Sequence, residues 1–342
     1  MPLDIFLGVD LLRFKMSPKL MLDISKLSIQ LNSYNQAEKL LNDNLNLKIS
    51  DDTIRDVTNF IGQLVYKYDC RFANRLQEVS KNEFDLAEKS AYLLIEVDGS
   101  FIHVRSSDGK SARWCEVKTG LVASSKNFKK VLNKDGEYEI RLGKREYTCY
   151  LGSVDQFKKF LLSMCTRNNY DLYDDIVMLT DGAEWIKSIK KEYFPKALQI
   201  LDFFHLSENT YNFLKYIYKD NLNLAENLWK EWCIYYKEGQ YKKVLDLTKK
   251  YKDQKLGVGI TNIYNYIIKN EENINYPRYM AKDVFIGSGA IESANKRVVQ
   301  GRLKNPGMIW NGINAQYILS LVAKYYSDLW DLVEKIVLDY FV

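Results

Sequence analysis

The chain has 342 residues, 46% of them hydrophobic and 27% charged, with 49 Lys+Arg against 44 Asp+Glu. That length suggests about two domains with sizeable cores, and a formal net charge of +5 is compatible with a nucleic-acid partner without demanding one. Cys70, Cys115, Cys149, Cys165 and Cys233 are odd in number and widely spaced, and the only histidines are His103 and His205. A disulfide framework and a zinc site are therefore poor fits, and a reducing cytoplasm is the expected location. The opening "MPLDIFLGVDLLRFKMSP" lacks the basic, apolar, small-residue order of a signal peptide. No uncharged apolar run is long enough to span a bilayer.

In chain order, residues 17 to about 88 read as helical. Ser33 stands three before Gln36 in a capping-box pattern. Ser50 can cap "DDTIRDVTNFIGQL", whose Ile54, Val57 and Ile61 share one face. Two short helices joined by a turn fit a DNA-binding helix-turn-helix, and equally a plain three-helix bundle. Asp51 and Asp52 at the head of the second would face phosphate unfavourably.

From Ala91 the pattern changes. "YLLIEV", "FIHVR" and "CEVKTGLVAS" read as short antiparallel strands, and "VLNKDGEYEIRLG" as a hairpin or exposed loop about Asp135-Gly136. Helix and strand then alternate: "SVDQFKKFLLSMCTRN" helical, "DIVMLT" a buried strand, "GAEWIKSIKKEYF" helical, "ALQIL" a buried strand, "HLSENTYNFLKYIY" helical. Such alternation implies parallel strands, and three antiparallel strands followed by two parallel ones is the RNase H-like order. Residues 207–282 read as all helix, and helix resumes after Ile286.

Four acids invite attention, and each has an ordinary reading. Asp98 precedes Gly99, a preferred hairpin dipeptide, yet it also ends a buried apolar run. Asp181 can cap the following helix, or sit at the carboxyl end of a parallel strand where α/β sheets place ligands; Asp202 has the same claim. Glu292 lies four before Lys296, an exposed ion-pair spacing, on a helix whose buried face carries Ile291, Ala294 and Val298. Its polar neighbours Asn295 and Lys296 could face a site or water. Phosphodiester cleavage uses such acids: two divalent ions held by carboxylates activate a water or hydroxyl and stabilise the leaving oxygen.

With those residues in hand, the chain resembles bacterial insertion-sequence transposases of the DDE class, in the Kra-type group related to Mutator-like transposases. "VDGSFIHVR", "LTDGAEWI", "QILDFFHLSEN" and "GSGAIESANKRVVQGRLKNPGMIWN" carry the likeness, in order, from residue 2 onward. The resemblance implies Asp98, Asp181 and Glu292 as the catalytic, metal-binding triad, with Asp202 and His205 as an auxiliary pair. It implies two Mg²⁺ ions, with Mn²⁺ able to substitute. It divides the chain into a helical, helix-turn-helix-like region (1–88), the first part of an RNase H-like core (89–206), an all-α insertion (207–284) and the C-terminal core helices (285–342). The insertion accounts for the 292 − 181 = 111 residues between the second and third acids.

The implied reaction is strand cleavage at element ends followed by strand transfer to target DNA. Its partners are terminal inverted repeats and target duplex, on which the chain acts as a dimer or higher oligomer, in the cytoplasm at the nucleoid, with no membrane. Gly287-Ser288-Gly289 would turn the chain into the Glu292 helix. Arg297, Arg302 and Lys304, with Lys296 and Arg55, would neutralise phosphates, while Trp310 could stack on a base or plug a core. Arg113-Trp114 is a weaker candidate for DNA contact and reads first as a strand-edge pair. A DNA-binding remnant or repressor without activity, and an RNase H-like nuclease, are the competing readings.

Family members carry a Cys-rich zinc-binding segment upstream of a "PLD…LG" motif, and this sequence opens at "MPLDIFLG". A shortened copy is the expectation. Restoring upstream coding sequence should then restore specific binding to element ends in a gel-shift assay; unchanged binding would refute that expectation.

Overall fold

The computed structural model describes residues 13–106, 108–132, 138–287 and 289–341. The opening "MPLDIFLG", the expected Asp135-Gly136 turn and Ser288 of the expected Gly-Ser-Gly turn lie outside them. Three helices come first: α1 (Pro18–Gln30), α2 (Tyr34–Leu45) and α3 (Asp51–Asn74). Serine caps open all three, with Ser17, Ser33 and Ser50 accepting the amides of Leu20, Gln36 and Thr53. At α2 the Gln36 side chain also reaches back to the Asn32 amide. α3 has 24 residues, longer than the periodic stretch that pointed to it, and buries Ile54, Val57, Ile61 and Val65. Helix does not continue to residue 88: after Asn74 come only two 3₁₀ turns, Leu76–Glu78 and Leu86–Ser90. The polar "SKNE" there offers no apolar stripe to bury.

A five-stranded mixed sheet follows, built from β1 (Tyr92–Arg105), β2 (Ala112–Ser124), β5 (Arg145–Leu151), β6 (Asp175–Thr180) and β7 (Leu198–Leu201), in the order β5-β2-β1-β6-β7. β1, β2 and β5 pair antiparallel, whereas β1, β6 and β7 run parallel. The hairpin β3 (Phe128–Leu132) and β4 (Tyr138–Leu142) forms a separate two-stranded sheet.

Two expectations are corrected here. "YLLIEV" and "FIHVR" are one continuous 14-residue strand. Asp98 and Gly99 sit inside it opposite Thr119 and Lys118, not in a turn. The turn falls instead at Asp108-Gly109, where Gly109 has φ 70° and Asp108 accepts the Lys110 amide. The third antiparallel strand is therefore "REYTCYL", which the sequence reading passed over.

Helices cover the sheet. Leu93, Ile95 and Val97 of β1 pack with Phe157 and Leu161 of α4 (Val154–Arg167) and Ile186 of α5 (Glu184–Tyr193). Side chains alternate along a strand, so the even-numbered residues of β1 face the other way. At one end of that face, Ile102 and Val104 join a core with α1–α3, α11 (Gly289–Ala294), α12 (Gly312–Tyr326) and α13 (Trp330–Phe341). At the other end, Leu94 joins Val177, Leu179 and Ile200 against the helical unit α6 (Phe203–Ile217), α7 (Leu222–Lys237), α8 (Tyr241–Thr248), α9 (Ile263–Lys269) and α10 (Tyr276–Met280). That unit has no strand among its described residues, as the sequence suggested. Among the described residues no helix is long and apolar enough to cross a membrane.

α3 and α12 approach closely at Gly62, where an added Cβ would lie 2.7 Å from the Tyr317 carbonyl oxygen. Helix propensity alone makes Gly62→Ala favourable by about 1 kcal/mol, but overpacking costs about 1–3 kcal/mol. Urea unfolding should show a net loss of up to about 2 kcal/mol; a stabilised variant would mean that the two helices separate freely.

Candidate active site

Between the two apolar ends of the β1 face lie Glu96, Asp98 and Ser100. Glu96 and Asp98 share that face because they are two residues apart. Asp181 follows β6 and Asp202 follows β7, so both stand at the carboxyl ends of parallel strands. The backbone ties these ends together, the Asp202 amide donating to the Thr180 carbonyl at 2.8 Å. Gly182 has φ +86°, a left-handed conformation that favours glycine, and sets the sharp exit after Asp181.

Local hydrogen bonds fix each carboxylate. Asp181 accepts the Ala183 amide at 2.8 Å, and Asp202, fully buried, caps α6 by accepting the Phe204 amide at 2.8 Å. The ordinary capping role of Asp202 is thus real, and it leaves the second carboxylate oxygen turned to His205, whose Nε2 lies 3.7 Å away. The helical unit braces both strand ends: Tyr266 of α9 donates its hydroxyl to the Asp181 carbonyl at 2.6 Å, and Tyr276 of α10 donates to the Leu201 carbonyl at 2.9 Å.

The Glu292 helix docks on β1 through two buried contacts. The Ile291 amide donates to Glu96 Oε2 at 2.8 Å, and Asn295 Nδ2 donates to Asp98 Oδ2 at 2.6 Å. Asn295 lies one turn beyond Glu292, so the face carrying both turns toward the strand. Lys296, one residue on, is exposed, and no ion pair joins it to Glu292 among the described residues. The helix then widens into a π segment over Asn295–Gln300, an irregularity often found at functional sites.

Burial raises the Asp98 carboxyl above its ordinary range, opposed by the Gly99 amide it accepts; the His205 imidazole favours the ionised form and Asp181 disfavours it. Burial pushes Glu96 up more strongly, against the Ile291 amide, with Asp202, Asp98 and Glu292 adding repulsion. Glu96 thus feels Asp98, Asp202 and Glu292, and Asp98 feels Asp181 and His205. Asp202, His205 and Glu292 come closest together, each offering a ligand atom within 4.8 Å of the others, and they form the one such group of three among the described residues. Asp98 and Asp181 are neighbours of this group but not members of it. The donor set, hard carboxylate oxygens with one imidazole, suits a divalent cation.

The remaining residues expected to meet DNA divide. Arg297, Lys296 and Lys304 are exposed. Arg55 is exposed but ion-paired to Asp52 and Asp56. Arg302 lies apart from these, not on the surface: it is only 2% exposed, and it donates to the Ser28 and Asn32 carbonyls. Trp310 is likewise core, 9% exposed, its indole donating to the Leu303 carbonyl. The exposed tryptophan is Trp114, 58% accessible, stacked on His103 with Lys304 over its ring.

The sequence reading missed Glu96 and the Asn295–Asp98 bond. A lone acid inside the apolar run "YLLIEV" was the available signal for Glu96. Beside the Glu292 helix opens a cavity of about 1100 Å³ lined by Arg145, Arg297, Lys237, Phe204, Phe285 and Ser293, among others.

A mixed sheet with acids gathered at its strand ends and on one docked helix defines this molecule at the level of class. The chain belongs to the Uncharacterised protein family (UPF0236), whose model matches residues 3–332. No curated protein matches it.

Glu96→Ala should cost about 2–4 kcal/mol in chemical denaturation, because it leaves the Ile291 amide unsatisfied beside a void. Glu96→Gln keeps an acceptor and should cost less than about 1.5 kcal/mol. Equal losses would remove Glu96 from its role in docking the Glu292 helix.

Proposed function

We propose that this chain is a DDE transposase with an RNase H-like core, which cleaves DNA strands at the ends of an insertion element and joins them to target DNA. The observation that carries the reading is the docking of the Glu292 helix on β1. Ile291–Glu96 and Asn295–Asp98 bring a residue from the end of the chain to acids at its first strand, across the helical unit. The sheet order and the placement of Asp181 and Asp202 at parallel strand ends support it.

In this proposal Asp98, Asp181 and Glu292 hold two Mg²⁺ ions, with Asp202 and His205 available as further donors. When bound, the ions activate the attacking oxygen and stabilise the leaving one. The protein's own residues fix the geometry. Asn295 orients the Asp98 carboxylate, and the Ala183 and Phe204 amides orient Asp181 and Asp202. The tyrosines of α9 and α10 hold the strand ends on which these acids sit.

Arg297, Lys296 and Lys304, all exposed, would neutralise phosphates, and Trp114, rather than Trp310, has an exposed ring that would serve for stacking. The basic, aromatic cavity beside α11 would take part of a DNA strand. Terminal repeats and target duplex are the proposed partners, with the chain acting as a dimer or larger assembly at the nucleoid.

The test is a Mg²⁺-dependent nicking and strand-transfer assay on a duplex carrying the element's end. Asp181→Asn should lower nicking at least about 10³-fold while leaving salt-sensitive DNA binding in place, and chelation should abolish nicking by the unaltered protein. Nicking without strand-transfer product would favour a nuclease of the same shape. Binding with no Mg²⁺-dependent nicking in any preparation would leave a DNA-binding repressor.

A further inference from the structure

Arg302 poses a problem that the acids do not solve. Its guanidinium is buried, sits over the rings of Tyr34 (4.5 Å) and Trp310 (5.2 Å), and makes no ion pair among the described residues. Nε and Nη1 donate to backbone carbonyls, while Nη2 has no partner. A buried charge without a counter-charge is costly, and burial accordingly depresses the Arg302 pKa.

Two other buried polar atoms close by are also without partners: the Tyr34 hydroxyl and Asn59 Oδ1. Arg302, Tyr34 and Asn59 all line one cavity of about 660 Å³, whose lining includes none of the clustered carboxylates. A guanidinium and a phenol are donors, and an amide presents either its oxygen or its NH₂ according to how it is turned.

The wall also carries Arg105, and Arg55, whose charge is already paired with Asp52 and Asp56. Two helices also begin there: Ser33 and Tyr34 open α2, and Asn311 and Asn314 open α12. Both helices are long enough to bring the positive end of a dipole to the cavity.

We infer that the cavity between α2, α3 and the Arg302–Asn314 segment is a phosphate-binding site, with the Arg302 guanidinium as its buried counter-charge and Tyr34, Asn59 and Arg105 as its other donors. Water could satisfy Tyr34 and Asn59, but it would leave the guanidinium without an anion. The phosphate group comes either from a nucleic-acid backbone or from free phosphate. The site does not depend on the catalytic proposal, since none of its residues belongs to the carboxylate cluster.

The probe is inorganic phosphate, titrated into the full chain against potassium chloride of matched ionic strength and followed by thermal unfolding. The unaltered protein should show a saturable rise in Tm with phosphate and none with chloride. Tyr34→Phe, which removes one hydroxyl, should weaken the apparent affinity about tenfold. Arg302→Met replaces the buried charge with an apolar chain of similar length, so it should fold and lose the phosphate response altogether. Arg105→Gln, on the exposed rim, provides a variant whose folding is not in question and should also weaken binding.

No phosphate-specific shift in the unaltered protein, or a shift that survives unchanged in Tyr34→Phe and Arg105→Gln, would overturn the inference. Competition by a duplex oligonucleotide assigns the bound group to a nucleic-acid backbone, and indifference to duplex assigns it to free phosphate. DNA nicking need not be present for any of these results to be read.

Discussion

The molecule turns on how a buried carboxylate is made tolerable. Glu96 sits in the middle of the central strand with no exposed surface, where an unpartnered acid would be severely destabilising. Among the described residues its hydrogen-bond partner is the Ile291 amide, contributed by a segment almost two hundred residues later. Strand and helix therefore need each other: the strand loses its acceptor's partner if the helix leaves, and the helix loses its anchor if the strand shifts. Asn295 repeats the arrangement one turn on with Asp98. The placement of Glu292 follows from these two contacts rather than from any feature of Glu292 itself.

The cluster also shows how one residue type serves two purposes. Asp181 and Asp202 are turn and capping residues of ordinary kind, each accepting an amide two residues ahead. Each does so with one oxygen, and at Asp202 the other oxygen turns to His205. Structural and chemical readings of an aspartate at the end of a parallel strand are thus compatible, and setting them against each other from sequence poses a false choice.

What could be read in advance follows the same physics. "DIVMLT" and "ALQIL" were legible because parallel strands buried under helices are short apolar runs with a polar residue at the exit. The serine caps were legible because the side chain that satisfies the first amides is local in sequence. Asp98-Gly99 misled because the dipeptide suits a hairpin, whereas pairing with β2 carried the strand straight through. "REYTCYL" was passed over because its polar residues hide its pairing with β2. Arg302 was assigned to the surface because an arginine in a basic run ordinarily lies there, and only packing against Tyr34 and Trp310 reveals otherwise. The nearness of Glu292 to Asp202 and His205 depends on a fold-back that no local pattern encodes.

The braces from α9 and α10 to the ends of β6 and β7 bear on how the chain matures. Tyr266 and Tyr276 reach back 85 and 75 residues to their acceptors, and Ile291 reaches back 195 to Glu96. During synthesis the first strand is made early, yet its acid waits through the making of the whole helical unit for its partner. At about 5–20 residues per second that interval is about 10–40 seconds. Over that time the sheet's acidic face is incomplete, so a ribosome-bound or prematurely ended chain would carry the first acids without the helix that completes the cluster.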